Sequence, residues 1–300
     1  MTTRSWMQGP PKKILLATDL CARCDRAFDR AVTLATQWNA QLVAVHVMEE
    51  IPPSVLDETD RVPSWRRPAD PRQLAETRIR ADMRELSPEF TVVIESGDAA
   101  DAILRTAEAH GCDLIVTGVA RDTPRSFILG STVERLARRS PAPLLIVRKR
   151  GRRPYSHVVV ATDFSDSSRH ALEAAACFFP QQVLTLFHAY DAPMSSIATD
   201  AAAVRKQFRE AAEQEIAGFL KASDLSGWRG GTPEILLEYG EPDQLLYAYA
   251  KEKDVDLVAL GSHGYSALFQ MLIGSVAQSL ITSLPCDVLV IREPRANAAR

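Results

Sequence analysis

The residues best suited to bind a ligand lie in one short stretch near the carboxyl end of the chain. It reads Gly261-Ser262-His263-Gly264 and is followed, after nine residues, by Gly274-Ser275. Gly261 and Gly264 carry no Cβ, so the backbone there can approach a ligand closely and adopt positive φ values. Gly274-Ser275 begins a predicted helix, whose free N–H groups and dipole attract an anion. The spacing therefore predicts a polyphosphate cradle, with the Ser275 hydroxyl donating to phosphate or capping the helix.

A carboxylate is expected beside this cradle. Asp163 ends an apolar run, and a carboxylate there can take a ribose hydroxyl or bind a Mg²⁺ ion shared with phosphates. The alternative is structural, since an Asp between a strand and a helix is often an N-cap and a Gly-Ser pair is often a tight turn. Asp163 and the Gly-Ser pair follow the first and fourth predicted strands of the same copy, which are the places where an α/β sheet binds its ligands. Their occurrence together at these places favours a binding site.

The motif belongs to a unit that occurs twice. Lys13–Leu20 (KILLATDL) corresponds to His157–Phe164 (HVVVATDF), and Asp113–Gly118 (DLIVTG) to Asp256–Gly261 (DLVALG). The equivalent residues are 143 or 144 positions apart. A period of this length indicates a duplicated domain and not a solenoid repeat.

Within each copy, short apolar runs alternate with segments of helical periodicity. This alternation predicts an α/β fold of two tandem doubly wound domains, each with a five-stranded parallel sheet and helices on both faces. Ligands of such sheets lie beyond the carboxyl ends of the strands. The predicted strands of the first copy are 14–17, 41–47, 91–96, the 113–118 segment and 143–147, and its helices 25–38, one ending at Leu86, and 99–109. Those of the second copy are 158–161, 182–188, 234–238, the 256–261 segment and 287–291, with helices 167–179, 198–221 and 244–251.

Domain boundaries follow from the repeat. We predict a first domain over 1–148, a basic linker over 149–156 and a second domain over 157–300. The junction holds the run RKRGRR, whose five positive charges could touch a phosphate or an acidic lipid. We favour a solvated linker, because the run has high charge and no apolar period. His46 and His188 occupy equivalent strand ends, which predicts packing or a backbone hydrogen bond for both.

Composition excludes several classes of protein. The chain is 46% hydrophobic and 24% charged, as expected for a globular protein. Five cysteines, an odd and scattered set, disfavour a secreted disulfide framework and predict a cytoplasmic location. Apolar runs are too short for a signal peptide or a membrane span, so no membrane association is expected. Residues 154–300 carry 11 basic against 18 acidic side chains, which disfavours nucleic acid as a partner.

The motif and the repeat together resemble the universal stress protein family of the UspA type, once per copy over nearly the whole chain. The ATP-binding members share the motif G-x2-G-x9-G-(S/T), which the second copy matches in full. The resemblance implies the strand order 3-2-1-4-5, pairing of the two final strands in an internal pseudo-dimer, and ATP in the second copy, with Mg²⁺ as an optional companion. The implied ATP-binding residues are Asp163, Ala189 (whose backbone faces adenine), Gly261, Ser262, His263, Gly264, Gly274, Ser275 and Val276.

The first copy departs from the motif. Its equivalent site is formed by Asp19, Gly118, Arg121, Gly130 and Ser131, with Arg121 in place of the second glycine and one residue fewer before Gly130. A side chain at 121 would occupy the space where backbone should meet phosphate. We therefore predict that this site is empty, filled by arginines, or specific for another anion, and that the chain binds one ATP.

Two other functions stay open. Cys21 and Cys24 form a C-x-x-C before a helix, which suits a thiol-redox pair, although the usual flanking residues of such motifs are missing and zinc would need two more ligands. A nucleotide-independent interaction scaffold is the other. No P-loop, dinucleotide fingerprint, HxGH or SGGxDS motif is present, so we expect no enzyme beyond slow ATP hydrolysis. The expected function is nucleotide-dependent regulation in the stress response, through an unknown protein partner; the sequence leaves open whether the chain also forms a homodimer.

Overall fold

The computed structural model describes residues 9–21, 25–48, 65, 70–83, 89–119, 130–151, 153–193, 199–263 and 273–292. Over these residues the two copies of the repeat have the same order of elements. The first copy contains β1 (Lys13–Thr18), α1 (Asp25–Trp38), β2 (Gln41–Met48), α2 (Pro71–Met83), β3 (Phe90–Ser96), α3 (Ala99–His110), β4 (Leu114–Gly118), α4 (Ser131–Arg139) and β5 (Leu144–Val147). The second contains β6 (Val158–Ala161), α5 (Asp166–Phe178), β7 (Leu184–Tyr190), α6 (Ala201–Ala222), β8 (Glu234–Tyr239), α7 (Pro242–Glu252), β9 (Leu257–Gly261), α8 (Ser275–Ser283) and β10 (Asp287–Ile291).

Most predicted elements are confirmed to within two or three residues. The strand predicted from Gln182 begins instead at Leu184, because Gln182 lies in a turn: its N–H donates to Phe179 O and its carbonyl accepts from the Trp228 indole. The helix predicted to reach Leu86 is described only to Met83, and Leu86 lies outside the described residues.

The ten strands of the described residues form one sheet in the order β3-β2-β1-β4-β5-β10-β9-β6-β7-β8. Each half is parallel and has the predicted order 3-2-1-4-5. The halves join where β5 and β10 pair antiparallel, with Leu145 opposite Leu289. This confirms the predicted pairing of the final strands, and it removes two exposed sheet edges.

Each face of the sheet carries one apolar core, and each core is continuous between the halves. One cluster of buried side chains unites the sheet with α1, α2, α5 and α6, and the other unites it with α3, α4, α7 and α8. The inner strands β4, β9 and β10 are near-continuous apolar runs because both of their faces are buried. Burial on both faces explains why short apolar runs were reliable signals of these strands.

An equivalent aspartate fixes the start of the first strand in each half. Asp113 Oδ2 accepts hydrogen bonds from the backbone N–H groups of Lys12 and Lys13, at 3.0 and 3.1 Å. Asp256 Oδ2 accepts from the N–H groups of Ser156 and His157 and from the Ser156 hydroxyl. Burial raises the pKa of Asp256, but these hydrogen bonds outweigh it and hold that pKa below the ordinary value. The aspartate of the repeated DL motif is therefore a strand anchor.

The basic junction is only partly packed against the protein: Gly151 is buried and Arg148 is half-buried, whereas Arg150 and Arg153 are exposed as expected of a solvated linker. Arg148 donates from its side chain to Ile281 O and Thr282 O, and Arg150 pairs with Asp29 at 2.9 Å. Gly151 is buried beneath the Arg30 side chain, where a Cβ would collide with the guanidinium. Arg148 and Lys149 find partners in the second half and Arg150 in the first, which composition alone could not reveal.

A buried carboxylate anchors this junction. Asp287, fully buried at the start of β10, accepts hydrogen bonds from the N–H groups of Arg148 and Lys149 and from the Tyr155 hydroxyl, and it lies 3.3 Å from Arg30 Nε. The Arg30 guanidinium stacks 3.8 Å above the Tyr155 ring. Burial raises the pKa of Asp287, against the opposing effect of its donors, and burial also raises the pKa of Tyr155. Side chains from both halves thus meet at one buried ion pair.

Candidate functional site

The turn after β6 is built in the same way as the turn after β1. The Thr162 hydroxyl oxygen accepts the Phe164 N–H at 2.9 Å, and Asp163 Oδ1 accepts the N–H and hydroxyl of Ser165. Phe164 has a φ of 63°, which is uncommon for a residue with a side chain. Asp163 itself is exposed at the carboxyl edge of the sheet. One carboxylate oxygen therefore supports the entry into α5 while the side chain stands at the predicted ligand edge.

The two strand-end histidines support these turns, as predicted. His188 Nδ1 lies 2.8 Å from Thr162 O, and His46 Nδ1 lies 2.9 Å from Thr18 O. The Phe164 ring stacks on the His188 ring with centroids 4.2 Å apart. Each histidine is thus committed to a backbone hydrogen bond, which confirms a structural role.

Ala189 presents its backbone to a gap in the sheet. Phe187 O accepts the Thr162 N–H, so the peptide groups of Phe187 face β6. Backbone groups alternate along a strand, and Tyr190 O accordingly faces β8 through Gly240. The N–H and C=O of Ala189 therefore point toward β6, beyond its last strand residue, Ala161. This places one donor and one acceptor side by side at the carboxyl edge.

The end of β9 is packed tightly against α5. A Cβ on Gly261 would lie 2.5 to 2.7 Å from Ser167 atoms, including its backbone, so this glycine is required for packing. The sequence predicts a different role for Gly261, which is to let the backbone approach a ligand closely. Ser262 is fully buried, and its hydroxyl lies 2.6 Å from His263 Nδ1, while His263 N–H donates to Ser167 Oγ. The start of α5 and the end of β9 thus form one rigid corner.

The corner continues into the amino end of α8. Gly274 N–H donates to Ser262 O at 3.0 Å, and Gly274 is the N-cap of the helix with a φ of −60°. Gly274 has no side chain with which to cap α8, and the first turn of the helix contains no acidic residue. By contrast, side chains of Asp98, Ser165 and Asp200 cap α3, α5 and α6. Within the described part of the chain, no side chain competes with an anion for the first N–H groups of α8.

The first half repeats this geometry with one chemical change. Asp19 is exposed and accepts the Cys21 N–H, Gly118 ends β4, and Gly130 is the N-cap of α4, again with no side-chain cap. Ser131 begins the helix and is exposed. However, Glu134 lies in the first turn of α4; it pairs with Arg138 at 2.5 Å, so its charge opposes an anion only in part.

Several predicted positions lie outside the described residues: Gly264, Arg121, Arg125 and Cys24. The structure unites Asp163, Ala189, Gly261, Ser262, His263 and the start of α8, including the exposed Ser275 and Val276, at one edge. Among the described residues, no group of three or more His, Cys, Asp or Glu side chains is placed to hold a metal ion.

Sequence reasoning overlooked the threonine and the aromatic residue on either side of Asp163. Thr162 forms the turn and also hydrogen-bonds Ser168, and Phe164 forms the stack on His188. The signal was present, because Ala-Thr-Asp followed by an apolar residue occurs in both copies. The prediction used only the aspartate of this repeated motif.

Two doubly wound units fused edge to edge in a single sheet define a tandem α/β protein with its candidate ligand edges at the carboxyl ends of the strands. The model of the universal stress protein family matches residues 10–148 and again 154–292. The chain belongs to the universal stress protein family. No helix in the described part of the chain is long and apolar enough to cross a membrane.

Individual relatives agree with this assignment. The universal stress protein YxiE of Bacillus subtilis is 29% identical over 147 residues, which is 46% of this chain and 99% of the relative. A functionally unknown protein, PA1789 of Pseudomonas aeruginosa, shares the fold over 97% of this chain and 95% of its own, at a TM-score of 0.65 and 19% identity. A putative universal stress protein from another strain of that organism gives a TM-score of 0.64 at 20% identity, over 96% and 95%.

Proposed function

We propose that the second half of this chain binds ATP and that the chain acts as a nucleotide-dependent regulatory protein of the stress response. The observation that carries the proposal is the amino end of α8, which lies at the carboxyl edge of the sheet and, among the described residues, has neither a side-chain cap nor an acidic first turn. A helix end of this kind stabilises a bound phosphate through its N–H groups and dipole.

The residues of this edge fit the parts of an adenine nucleotide. Because Gly274 N–H is used by Ser262 O, the N–H groups of Ser275 and Val276 would receive the phosphates, with Gly264 as a further predicted contact. The N–H and C=O of Ala189 match the adjacent acceptor and donor on the edge of adenine. Asp163 would take a ribose hydroxyl or hold Mg²⁺ carried with the nucleotide.

We expect regulation and at most slow hydrolysis. The sequence contains no recognised hydrolytic motif, and Nδ1 of each histidine at this edge holds the fold, His188 at Thr162 O and His263 at Ser262 Oγ. Bound ATP would supply charge and contact area at the edge, and its presence would bias which partner protein the chain meets. The inferred form is the internal pseudo-dimer, with a homodimer of whole chains as a further state to measure.

The decisive test is the small-molecule content of the purified protein and its titration with ATP. Mass spectrometry of released ligands should find an adenine nucleotide, and calorimetry of the nucleotide-free protein should give about one ATP per chain, since one helix end is free of opposing charge. Asp163→Ala should weaken binding while Asp19→Ala leaves it unchanged. Failure to bind any nucleotide would leave the scaffold function in place, and a stoichiometry near two would contradict the asymmetry.

The thiol alternative has its own measurement. Cys21 is half-buried at the turn after β1, where its N–H donates to Asp19. We expect the Cys21→Ser, Cys24→Ser double variant to bind ATP like the parent protein under both reducing and oxidising conditions. If oxidation changes ATP binding several-fold in the parent but not in the variant, the result supports the thiol-redox function instead.

A further inference from the structure

Two equivalent arginines cross between the halves. Arg148 directly follows β5 and Arg292 directly follows β10. Because these strands pair antiparallel, each arginine leaves its strand beside the other half. Arg148 donates to Ile281 O at 2.5 Å and to Thr282 O at 3.1 Å, both in the last turn of α8. Arg292 donates to Arg138 O, in the last turn of α4.

The two helices depend unequally on this cross-cap. Helix α8 has no basic residue in its own last turn, so Arg148 provides a cation at its carboxyl end. Helix α4 already carries Arg138 and Arg139 in its own last turn, paired with Glu134 and Asp101, so a further cation adds less there than at α8. Cations at this end of a helix are stabilised by the helix dipole. The contribution of Arg148 to α8 is therefore larger than that of Arg292 to α4.

Arg148 is itself held in place. Its N–H donates to the buried Asp287 at 2.8 Å, and its carbonyl accepts from Arg26 Nη1 at 2.7 Å. One end of α8 is thus tied to the junction, while its other end is tied to the corner by the Gly274–Ser262 hydrogen bond. The helix spans the distance between the junction and the candidate phosphate site.

We propose that Arg148 of the first half is a positioning residue for the phosphate site of the second half. It holds α8 by its carboxyl-end carbonyls, so that the amino end stays aimed at the anion. This inference rests on the proposed function, since it assigns regulation of the same site. A change at the junction, where both halves and the linker meet, would then alter nucleotide affinity through α8 without touching the nucleotide.

The test compares ATP with adenosine on three variants of the full chain. Arg148→Ala should weaken ATP binding about fivefold, the effect expected for losing one cation at a helix end. Adenosine, which has no phosphate, should bind as it does to the parent. Arg148→Lys should recover part of the ATP affinity, and Arg292→Ala, the matched control, should change neither ligand.

The outcomes separate the two proposals. If the parent chain binds no ATP, the proposed function fails and this inference fails with it. If the parent binds ATP and Arg148→Ala binds it equally well, only the role of Arg148 is overturned. Equal weakening of ATP and adenosine, or equal weakening by Arg292→Ala, would show a general structural effect and would also overturn it. Should Arg148→Ala fold poorly, hydrogen exchange of residues 275–283 in Arg148→Lys must exceed that of the parent; unchanged exchange there contradicts the positioning role.

Discussion

The helices α4 and α8 occupy the same place in their halves but are held there by different forces. Arg135 of α4 pairs with Asp98 at 2.5 Å and with Asp101 at 3.2 Å, and Arg139 also pairs with Asp101. The hydrogen bond from Arg135 holds the pKa of Asp98 below its ordinary value. Helix α8 contains no charged residue, and Ser279 donates to Asp243 at 2.7 Å.

This difference indicates which of the two helix amino ends can accommodate an anion. In the first half the helix surface is committed to ion pairs with α3, and the first turn contains a carboxylate, Glu134, which is paired with Arg138. In the second half nothing on the helix itself competes with a ligand for its amino end. The following predictions test this contrast, starting with the largest effect.

Gly274→Asp should lower ATP affinity by roughly 100-fold or more, since a carboxylate would occupy the anion position and repel phosphate. The φ of −60° at Gly274 suits any residue, and Asp is a favoured N-cap, so the variant should melt at or above the temperature of the parent. Calorimetric titration and thermal melting measure both quantities.

Gly130→Asp is the matched control, because Gly130 has a φ of −58° at the same place in the first half. It should leave ATP affinity unchanged. If Gly130→Asp also removes binding, or if Gly274→Asp melts like the parent and retains full affinity, the contrast between the helices is wrong.

A second contrast lies at the start of the joining strands, where Asp287 corresponds to Pro143. Asp287→Ala would leave Arg30 buried without its carboxylate, and removal of one partner of a buried pair costs about 3–5 kcal/mol of unfolding free energy. Pro143→Ala should cost only about 0.4–1 kcal/mol, through greater freedom of the unfolded chain. Urea unfolding of both variants measures the difference; comparable losses would contradict the asymmetric junction.

The rigid corner at the end of β9 gives a smaller effect. Gly261→Ala places a methyl group against Ser167 and should destabilise the chain by about 1–3 kcal/mol, as overpacking does. Gly218→Ala on α6, where nothing lies within 4 Å of the added Cβ, should instead stabilise it by about 0.5–1 kcal/mol. We expect the two variants to shift the unfolding midpoint in opposite directions. If Gly261→Ala leaves the midpoint unchanged, the corner is packed less tightly than the distances of 2.5 to 2.7 Å indicate.

The strand anchors offer a pH-dependent test with the smallest effect. The folded-state pKa of Asp256 is lowered, so its ionised form contributes stability above the unfolded value of about 3.9, and this is lost as pH falls through the lower folded value. Asp256→Asn keeps an acceptor oxygen and should therefore cost about 1 kcal/mol at pH 7, the difference between charged and neutral hydrogen bonds, and progressively less as the pH drops below about 4. A cost that stays constant between pH 7 and pH 3 would contradict this assignment.

Much of the fold was predictable because its signals are local. Apolar runs such as Val158–Ala161 mark strands buried on both faces, and the duplicated motif located both halves. Contacts between distant residues were not predictable. The linker charges were interpreted as solvated because nothing in RKRGRR reveals that Asp287, about 140 residues away, accepts its backbone N–H groups. Likewise, the packing role of Gly261 depends on Ser167 across the sheet.

The antiparallel join of β5 and β10 has a consequence for how this chain can diverge. It makes the strands of the two halves run in opposite directions, so their carboxyl edges face opposite ends of the molecule. In a symmetric dimer of identical single-domain chains, every substitution is expressed at both ends. In a covalently duplicated chain, each end is encoded separately. One end can therefore lose or exchange its ligand while the other keeps it. The two ends of the molecule then become chemically different surfaces that a partner can distinguish.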